Sequence, residues 1–298
     1  MQETSDYLQF VLAPQMFTGL TMGVAVVLAA LGLTIIFGLL DVINMAHGAF
    51  YAVGAYLALA LERVGFGYIV LLPLVVLVMA AFGYLLQYGL IQHVLTRGRD
   101  RHVTTLMLTL GLAMVIEDAN RAIFGVETLR PANPIPGSAA IFGMVLPNYR
   151  LFLISAGILI VAAVMVVIYR TRFGAMVRAA AFDRQMAASL GVPVKRIYGL
   201  TFALGVALTG LAGALLAPVY SIFPTMGHDF LVMAFIVVIV GGLGSVTGAV
   251  AAGFLLTQVQ ALASLVVSPV WGSPIILAVM VFVLIMRPGG LFGRLGHV

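Results

Sequence analysis

The sequence contains no cysteine and few charged residues, which make up 8% of its 298 positions. Without cysteine, the protein has no disulfides, thiolate metal ligands or cysteine nucleophiles. With so few charges it is not an ordinary soluble domain, because about a quarter of the residues in such domains are charged. Hydrophobic residues make up 63% of the chain, and its mean hydropathy is +1.17. The composition therefore predicts an integral membrane protein.

Long apolar runs recur along the whole chain, whereas the alternating ten-residue segments of a membrane β-barrel do not. We expect an all-α polytopic bundle of about eight transmembrane helices, forming one domain over residues 1–298. Residues 1–9 have no basic region typical of a signal peptide, so we expect the first helix to insert uncleaved. The apolar segments are 11–39, 45–61, 68–95, 103–116, 151–169, 198–219, 230–256 and 274–286.

The charges predict an orientation. The net charge of +5 comes from three basic regions, 97–101, 170–196 and 287–294, which the positive-inside rule places in the cytoplasm. We assign this basic excess to loops and expect no nucleic-acid partner. The N-terminus, segment 117–150 and loop 221–229 are then external. Acidic residues mark these external ends: Glu3, Asp6, Glu62, Glu117, Asp118, Glu127 and Asp229.

Segment 121–150 has no helical period and contains four prolines. Proline removes a backbone donor and breaks helices, so this segment is predicted to be an external loop with short strand-like pieces.

Three polar residues, Asp41, Asn44 and His47, interrupt an apolar run at a spacing of three. They share one face if the chain is helical, or they lie in a broken or re-entrant segment near 38–48. Because lipid cannot satisfy such groups, one interpretation is a cluster that lines or gates a pathway, together with Phe37 and Gly48. The other is that Asn44 and His47 cap a restarting helix. One histidine beside one acid is too little for a metal site.

A second interruption, at 241–248, contains Gly241, Gly242, Gly244 and Ser245. It is either a turn between two helices or a helix broken inside the membrane. Interrupted apolar segments in both halves of a chain indicate a transporter site built on an inverted repeat, although the sequence leaves true internal symmetry open. We include these four residues in the predicted path or gate.

Three motifs in order resemble a known family. They are the run from Gly32 to Gly48, the glycine-rich run 241–253, and the ending Arg287-Pro288-Gly289-Gly290-Leu291-Phe292-Gly293. The chain resembles the permease subunits of ABC importers for branched-chain (hydrophobic) amino acids. Thr247 and Gly289 depart from the usual pattern at helix–turn positions. The resemblance implies a multi-pass permease of the bacterial cytoplasmic membrane that translocates branched-chain or related amino acids.

The basic loop 172–193 is rich in alanine and is predicted to form a short helix stopped by Gly191 and Pro193. From composition alone, this helix either docks on a partner or lies on the membrane surface. The resemblance implies a coupling helix that inserts into an ATPase subunit. Its coupling residues would be Asp183, Met186, Ala187, Ser189, Leu190 and Gly191.

The chain has no Gly-x-x-x-x-Gly-Lys-Ser/Thr phosphate loop. We therefore expect no enzyme activity and no cofactor on this chain, with ATP hydrolysed by a separate subunit. The partners implied are cytoplasmic ABC ATPases, a second permease (related or identical), an external substrate-binding protein and membrane lipid. Alternatives are the same machine carrying urea, amides or aromatic acids, or an ion-coupled secondary transporter. The second would be expected to place acids mid-membrane, and Asp41 is its one candidate.

Overall fold

The structure, a computed structural model, describes residues 11–97, 101–141 and 144–293. Glu3, Asp6, Arg99 and Arg294, which entered the orientation argument above, lie outside the described residues. In the described part the chain is mostly helical. The helices are α1 (Ala13–Leu40), α2 (His47–Arg63), α3 (Tyr68–Leu86), α4 (Gln92–Arg97), α5 (Arg101–Phe124), α6 (Asn148–Arg170), α7 (Arg172–Phe182), α8 (Arg184–Ser189), α9 (Val194–Leu216), α10 (Met226–Gly241), α11 (Val246–Ala263) and α12 (Gly272–Met286).

Three short elements complete the fold. A π-helical turn, Gln87–Ile91, joins α3 to α4 without a break. The strands β1 (Ser138–Ile141) and β2 (Met144–Pro147) pair antiparallel, with Ser138 opposite Pro147. A 3-10 turn precedes α12.

The polytopic all-α prediction is confirmed. Within the described residues, six helices are long and apolar enough to cross a membrane. Two shorter helices, α10 and α12, are also apolar. The predicted segment 45–61 forms α2, and the predicted segment 230–256 is divided between α10 and α11. The spans are Ala13–Leu40, Tyr68–Val94, His102–Phe124, Asn148–Arg170, Val194–Leu216 and Val246–Ala263.

Two boundaries predicted from sequence were wrong. α5 runs from Arg101 to Phe124, well beyond the predicted apolar segment 103–116, because Glu117 and Asp118 pair with Arg121 one turn later and need not end the helix. The predicted loop 121–150 is therefore shorter, since α5 ends at Phe124 and α6 begins at Asn148. Its strand-like pieces are the β1–β2 hairpin.

α1 and α9 form the centre of the bundle, and most of their side chains are buried. α1 packs against α9 and α11, and α9 also packs against α2 and α3. Glycine residues allow these helices to pack at short distance. A Cβ on Gly32 would lie 2.5 Å from the Gly205 carbonyl oxygen, and one on Gly54 would lie 2.1 Å from that of Gly210. Small residues thus bring three helix backbones together, as in other membrane bundles.

The helix ends gather in two groups. At one end, Asp41 lies 3.9 Å from His102, and the Phe292 N–H donates to the Gly241 carbonyl at 3.1 Å. At the other, the Ala132 N–H donates to the Glu62 carboxylate at 3.2 Å, and Leu129 pairs with Ile222. This is the grouping that the charge pattern predicts. Which group faces the cytoplasm stays a prediction.

Candidate functional site

The first interruption is an unwound segment between two helices. α1 ends at Leu40, and Asp41 adopts a left-handed conformation with φ +50° while its N–H donates to the Phe37 carbonyl at 2.9 Å. Aspartate tolerates this conformation better than most residues. α2 then begins at His47. The break spans 41–46, narrower than the predicted segment 38–48, since Gly38 lies in α1 and Gly48 in α2.

The structure separates the three polar residues of this motif. Asp41 is exposed at the end of α1, and its carboxylate lies 3.9 Å from the His102 ring. Asn44 and His47 are both buried, each about 1% exposed. They therefore do not share one helical face, and the acid does not lie beside the histidine.

His47 connects three helices. Its Nε2 lies 2.8 Å from the Ala29 carbonyl oxygen of α1 and 2.8 Å from the Thr209 hydroxyl of α9. Because a carbonyl oxygen only accepts hydrogen bonds, Nε2 carries the hydrogen. The Thr209 hydroxyl in turn donates to the Gly205 carbonyl at 2.8 Å. This geometry fits a histidine that holds the start of α2 against its neighbours.

Asn44 and its neighbours shape the turn into α2. The Asn44 side-chain oxygen accepts from the Ala46 N–H at 3.1 Å. The Met45 N–H donates to the Thr109 hydroxyl of α5 at 3.1 Å. Two buried nitrogens, Asn44 Nδ2 and His47 Nδ1, have no hydrogen-bond partner among the described residues. The segment thus has polar groups inside the bundle that form no hydrogen bond to the described residues.

The N-termini of α2 and α10 meet backbone to backbone. A Cβ on Gly48 would lie 2.1 Å from the Gly227 carbonyl oxygen, and one on Gly227 would lie 2.3 Å from that of Gly48. One turn later in each helix, the rings of Tyr51 and Phe230 stack at 3.9 Å. Sequence reasoning missed Gly227, Thr109 and Thr209, because only the packing of distant helices places them at the break.

The second interruption is a tight turn between two helices. α10 ends at Gly241, and Gly242 and Gly244 have φ values of +102° and +77° that favour glycine. The Ser245 hydroxyl then caps α11 by accepting from the Gly248 N–H at 3.1 Å.

The three sequence motifs converge at this turn. The Leu291 N–H donates to the Val240 carbonyl at 2.8 Å, so the ending 287–293 docks on the end of α10. A Cβ on Gly38 would lie 3.2 Å from the Gly244 Cα. The half-buried Phe37 precedes Gly38. The two interruptions therefore approach each other at one end of the bundle.

The basic loop forms two helices rather than the single one predicted. α7 is capped by Thr171, whose hydroxyl accepts from the Gly174 N–H at 3.2 Å. α8 is capped by Asp183, whose carboxylate accepts from Gln185 and Met186 N–H groups at 2.8 and 2.9 Å. Asp183 breaks the alanine-rich run because its side chain satisfies the free donors of a new helix. Gly191, at φ +84°, ends it.

The α7–α8 loop presents apolar side chains to its surroundings. Phe182, Met186 and Leu190 are 86%, 59% and 78% exposed. Ala187 is buried, and the Ser189 hydroxyl donates to the Gln185 carbonyl. Arg184 lies over the Tyr198 ring of α9, 5.1 Å from its centroid. The loop is thus held against the bundle while one apolar face stays free for a partner.

Glu117 joins α5 to α10 at the opposite end. Its carboxylate pairs with Arg121 and lies 2.9 Å from the His228 ring. Asp118 also pairs with Arg121, at 3.2 Å. Among the described residues no three His, Cys, Asp or Glu side chains lie close enough together to hold a metal ion.

Comparison with known proteins decides the family. The family described as "Branched-chain amino acid transport system / permease component" matches residues 15–284. The chain belongs to this family. It is thus a multi-pass membrane permease component rather than an enzyme.

Curated relatives agree over nearly the whole length. The BraD permease protein of Pseudomonas aeruginosa is 29% identical, with 99% of this chain and 98% of the relative covered. The LivH permease protein of Escherichia coli K12 is 27% identical, with 94% and 95% covered. LivM of the same organism is 29% identical, with 79% of this chain and 60% of the relative covered. These three are named high-affinity branched-chain amino acid transport system permease proteins. No solved structure matches the chain.

Proposed function

We propose that this chain is a permease subunit of an ATP-driven ABC importer that carries branched-chain amino acids across the bacterial cytoplasmic membrane. Family membership supports the transport role. The names of the relatives BraD and LivH support the cargo. The three basic regions support a cytoplasmic position for the α7–α8 loop and an external N-terminus. No observation favours urea, amides or aromatic acids as cargo.

The α7–α8 loop is the observation that carries the coupling proposal. It joins α6 to α9, and its exposed Phe182, Met186 and Leu190 offer an apolar surface. In a groove of an ATPase subunit these side chains would be buried, and each would contribute up to about 2 kcal/mol. The coupling set is Asp183, Met186, Ala187, Ser189, Leu190 and Gly191.

Movement of this loop has a direct route to the unwound segment. α9 follows the loop at Val194, and its Thr209 contacts His47 at the start of α2. Closure of two ATPases would shift paired loops together and tilt α9 against α1 and α2. We assign the path or gate to the residues around the two interruptions: Phe37, Asp41, Asn44, His47, Gly48, Gly241, Gly242, Gly244 and Ser245.

The remaining subunits are part of the same proposal. LivH and LivM are both relatives of this chain, which favours pairing with a second, related permease. A separate ATPase supplies the energy, and an external binding protein delivers the cargo. The chain itself needs no cofactor in this scheme.

Ion-coupled transport receives no support from the burial pattern. Such a carrier would place a carboxylate inside the bundle as an ion ligand. Among the described residues, the buried polar side chains are Thr, Asn, Gln and His, with no Asp or Glu. Asp41, the candidate acid, is exposed at a helix end.

Affinity purification of the chain from its native membrane in mild detergent tests this proposal. We expect a separate ATPase, a second permease and an external binding protein to co-purify. After reconstitution, leucine uptake should require ATP. Recovery of the chain alone, with uptake driven by an ion gradient, would refute the proposal. A matched purification of a Leu190→Glu variant should lose the ATPase and keep the second permease, since Leu190 lies on the proposed docking face.

A further inference from the structure

A cavity of about 370 Å³ lies among α1, α2, α9, α10 and the loop 217–225. Pockets that hold small ligands have volumes of about 300–1,000 Å³. Its wall is mainly apolar, with four aromatic residues and one acid. The wall includes Tyr51, Gly213, Tyr220, Phe223, Asp229 and Phe230.

The wall of this cavity is built from close helix contacts. A Cβ on Gly213 would lie 2.1 Å from the Tyr51 carbonyl oxygen, so α9 and α2 touch there. The rings of Tyr51 and Phe230 stack with an interplanar angle of 19°. Stacked rings on touching helices form a rigid apolar surface, which suits an aliphatic side chain.

Two polar side chains lie on the wall. Tyr51 is 2% exposed, and it lines the cavity together with Asp229. Asp229, in the first turn of α10, forms no ion pair among the described residues. Asp229 is exposed, and both side chains line the cavity, so both are accessible to a polar ligand there.

A positively charged side chain, that of Arg150, lies near the same cavity. Arg150, in the first turn of α6, donates to the Thr18 hydroxyl at 3.1 Å. Burial raises the pKa of the Tyr220 phenol, and the Arg150 guanidinium offsets part of that rise. Thr18 lies one helical turn before the wall residue Met22, so Arg150 lies near the cavity, while Asp229 supplies an opposite charge on its wall.

We propose that this cavity binds the zwitterion of an aliphatic amino acid during transport. The stacked rings contact the side chain, and Asp229 accepts hydrogen bonds from the α-ammonium. The Tyr51 hydroxyl donates to the carboxylate, which Arg150 attracts. This assignment rests on the proposed function, because it supposes that such an amino acid is the cargo.

Equilibrium binding to the purified membrane complex, with all its membrane and ATPase subunits but without the external binding protein, tests the site. The probes are radiolabelled leucine and two competitors. Isopentylamine lacks the carboxylate, and 4-methylpentanoate lacks the ammonium group. Thermal unfolding of each variant confirms that it is folded.

We expect Asp229→Asn to weaken leucine binding by about tenfold or more, the scale of one lost charged hydrogen bond. It should leave binding of 4-methylpentanoate unchanged, because that competitor has no ammonium group. Tyr51→Phe should weaken leucine and 4-methylpentanoate but not isopentylamine. The matched control is Asp118→Asn, whose carboxylate pairs with Arg121 away from the cavity; it should bind as the wild type does.

Failure of the site and failure of the proposed function give different results. If the wild-type complex, supplied with its external binding protein, imports leucine with ATP while Asp229→Asn and Tyr51→Phe bind leucine normally, the cavity assignment alone is refuted. If the wild-type complex supplied with that protein shows no ATP-dependent leucine import, the proposed function fails and the cavity assignment fails with it.

Discussion

At the scale of single residues, His47 lies where three helices meet. It is buried at the start of α2, and its Nε2 contacts a backbone carbonyl of α1 and a hydroxyl of α9. The sequence singled out this histidine but left its role open between gate and cap. Its partners Ala29 and Thr209 lie 18 and 162 positions away, so no local pattern could have named them.

Replacing His47 with alanine should lower the free energy of unfolding by about 2–4 kcal/mol, because it leaves a cavity and removes two buried hydrogen bonds. Thermal unfolding in detergent measures the loss. We also expect uptake to be impaired while ATPase association persists. His102→Ala is the control, since that ring is exposed. Unchanged uptake in His47→Ala would show that the residue serves packing alone.

Gly48 and Gly227 give a second prediction at this scale. Alanine at Gly48 places its Cβ 2.1 Å from a backbone oxygen, and backbone cannot move aside as a side chain can. We expect a loss of about 1–3 kcal/mol in stability, read from thermal unfolding. Gly111→Ala, in the middle of α5 with nothing within 4 Å of the new Cβ, should be neutral or slightly stabilising. An equal change in stability in Gly48→Ala and Gly111→Ala would contradict the proposed need for glycine at the contact between Gly48 and Gly227.

At the scale of elements, the α7–α8 loop shows how one side chain divides a helix. The alanine-rich composition predicts one short helix stopped by Gly191 and Pro193, and that stop was correctly placed. The preceding helix α7 was not predicted. Asp183 separates the two helices, because a carboxylate that accepts from two N–H groups starts a new helix. The break ends α7 at Phe182 and begins α8 at Arg184, and both Phe182 and Met186 are exposed.

Substitutions in the α7–α8 loop should disrupt coupling to the ATPase without preventing insertion of the chain in the membrane. Asp183→Lys removes the cap of α8, and Gly191→Leu places a branched side chain at φ +84°, which is strained. Both should abolish uptake while the chain still inserts in the membrane, as judged by its level in isolated membranes. Asp183→Asn keeps a capping oxygen and should retain most uptake. Normal uptake in the first two variants would refute the coupling role.

At the scale of the whole molecule, the fold collects the helix ends into a basic group and an acidic group. The sequence predicted this alternation from charge alone, because charged residues cannot remain in the hydrocarbon core. The structure adds that the ends of α1 and α10 and the segment 287–293 meet at the basic end.

Membrane sidedness can be tested directly because the chain has no native cysteine. An impermeant maleimide should label Glu127→Cys in intact spheroplasts. It should label Ser189→Cys after membrane disruption alone. Both positions are exposed loop or short-helix sites, so the substitutions should not disturb folding. The reverse pattern would invert the proposed orientation and place the α7–α8 loop outside.

The sequence by itself determined the class of the protein, its approximate number of helices, both interruptions and the basic loop. These features follow from composition and local pattern, because the length of an apolar run and the position of a glycine determine the structure of the residues around them. Tertiary structure decided which polar groups meet. It exposed Asp41, buried His47 against Ala29 and Thr209, joined Gly48 to Gly227, and placed Tyr51 and Asp229 on one cavity. Those contacts depend on how closely separate helices approach, and this is set by packing across the bundle rather than by neighbours in sequence.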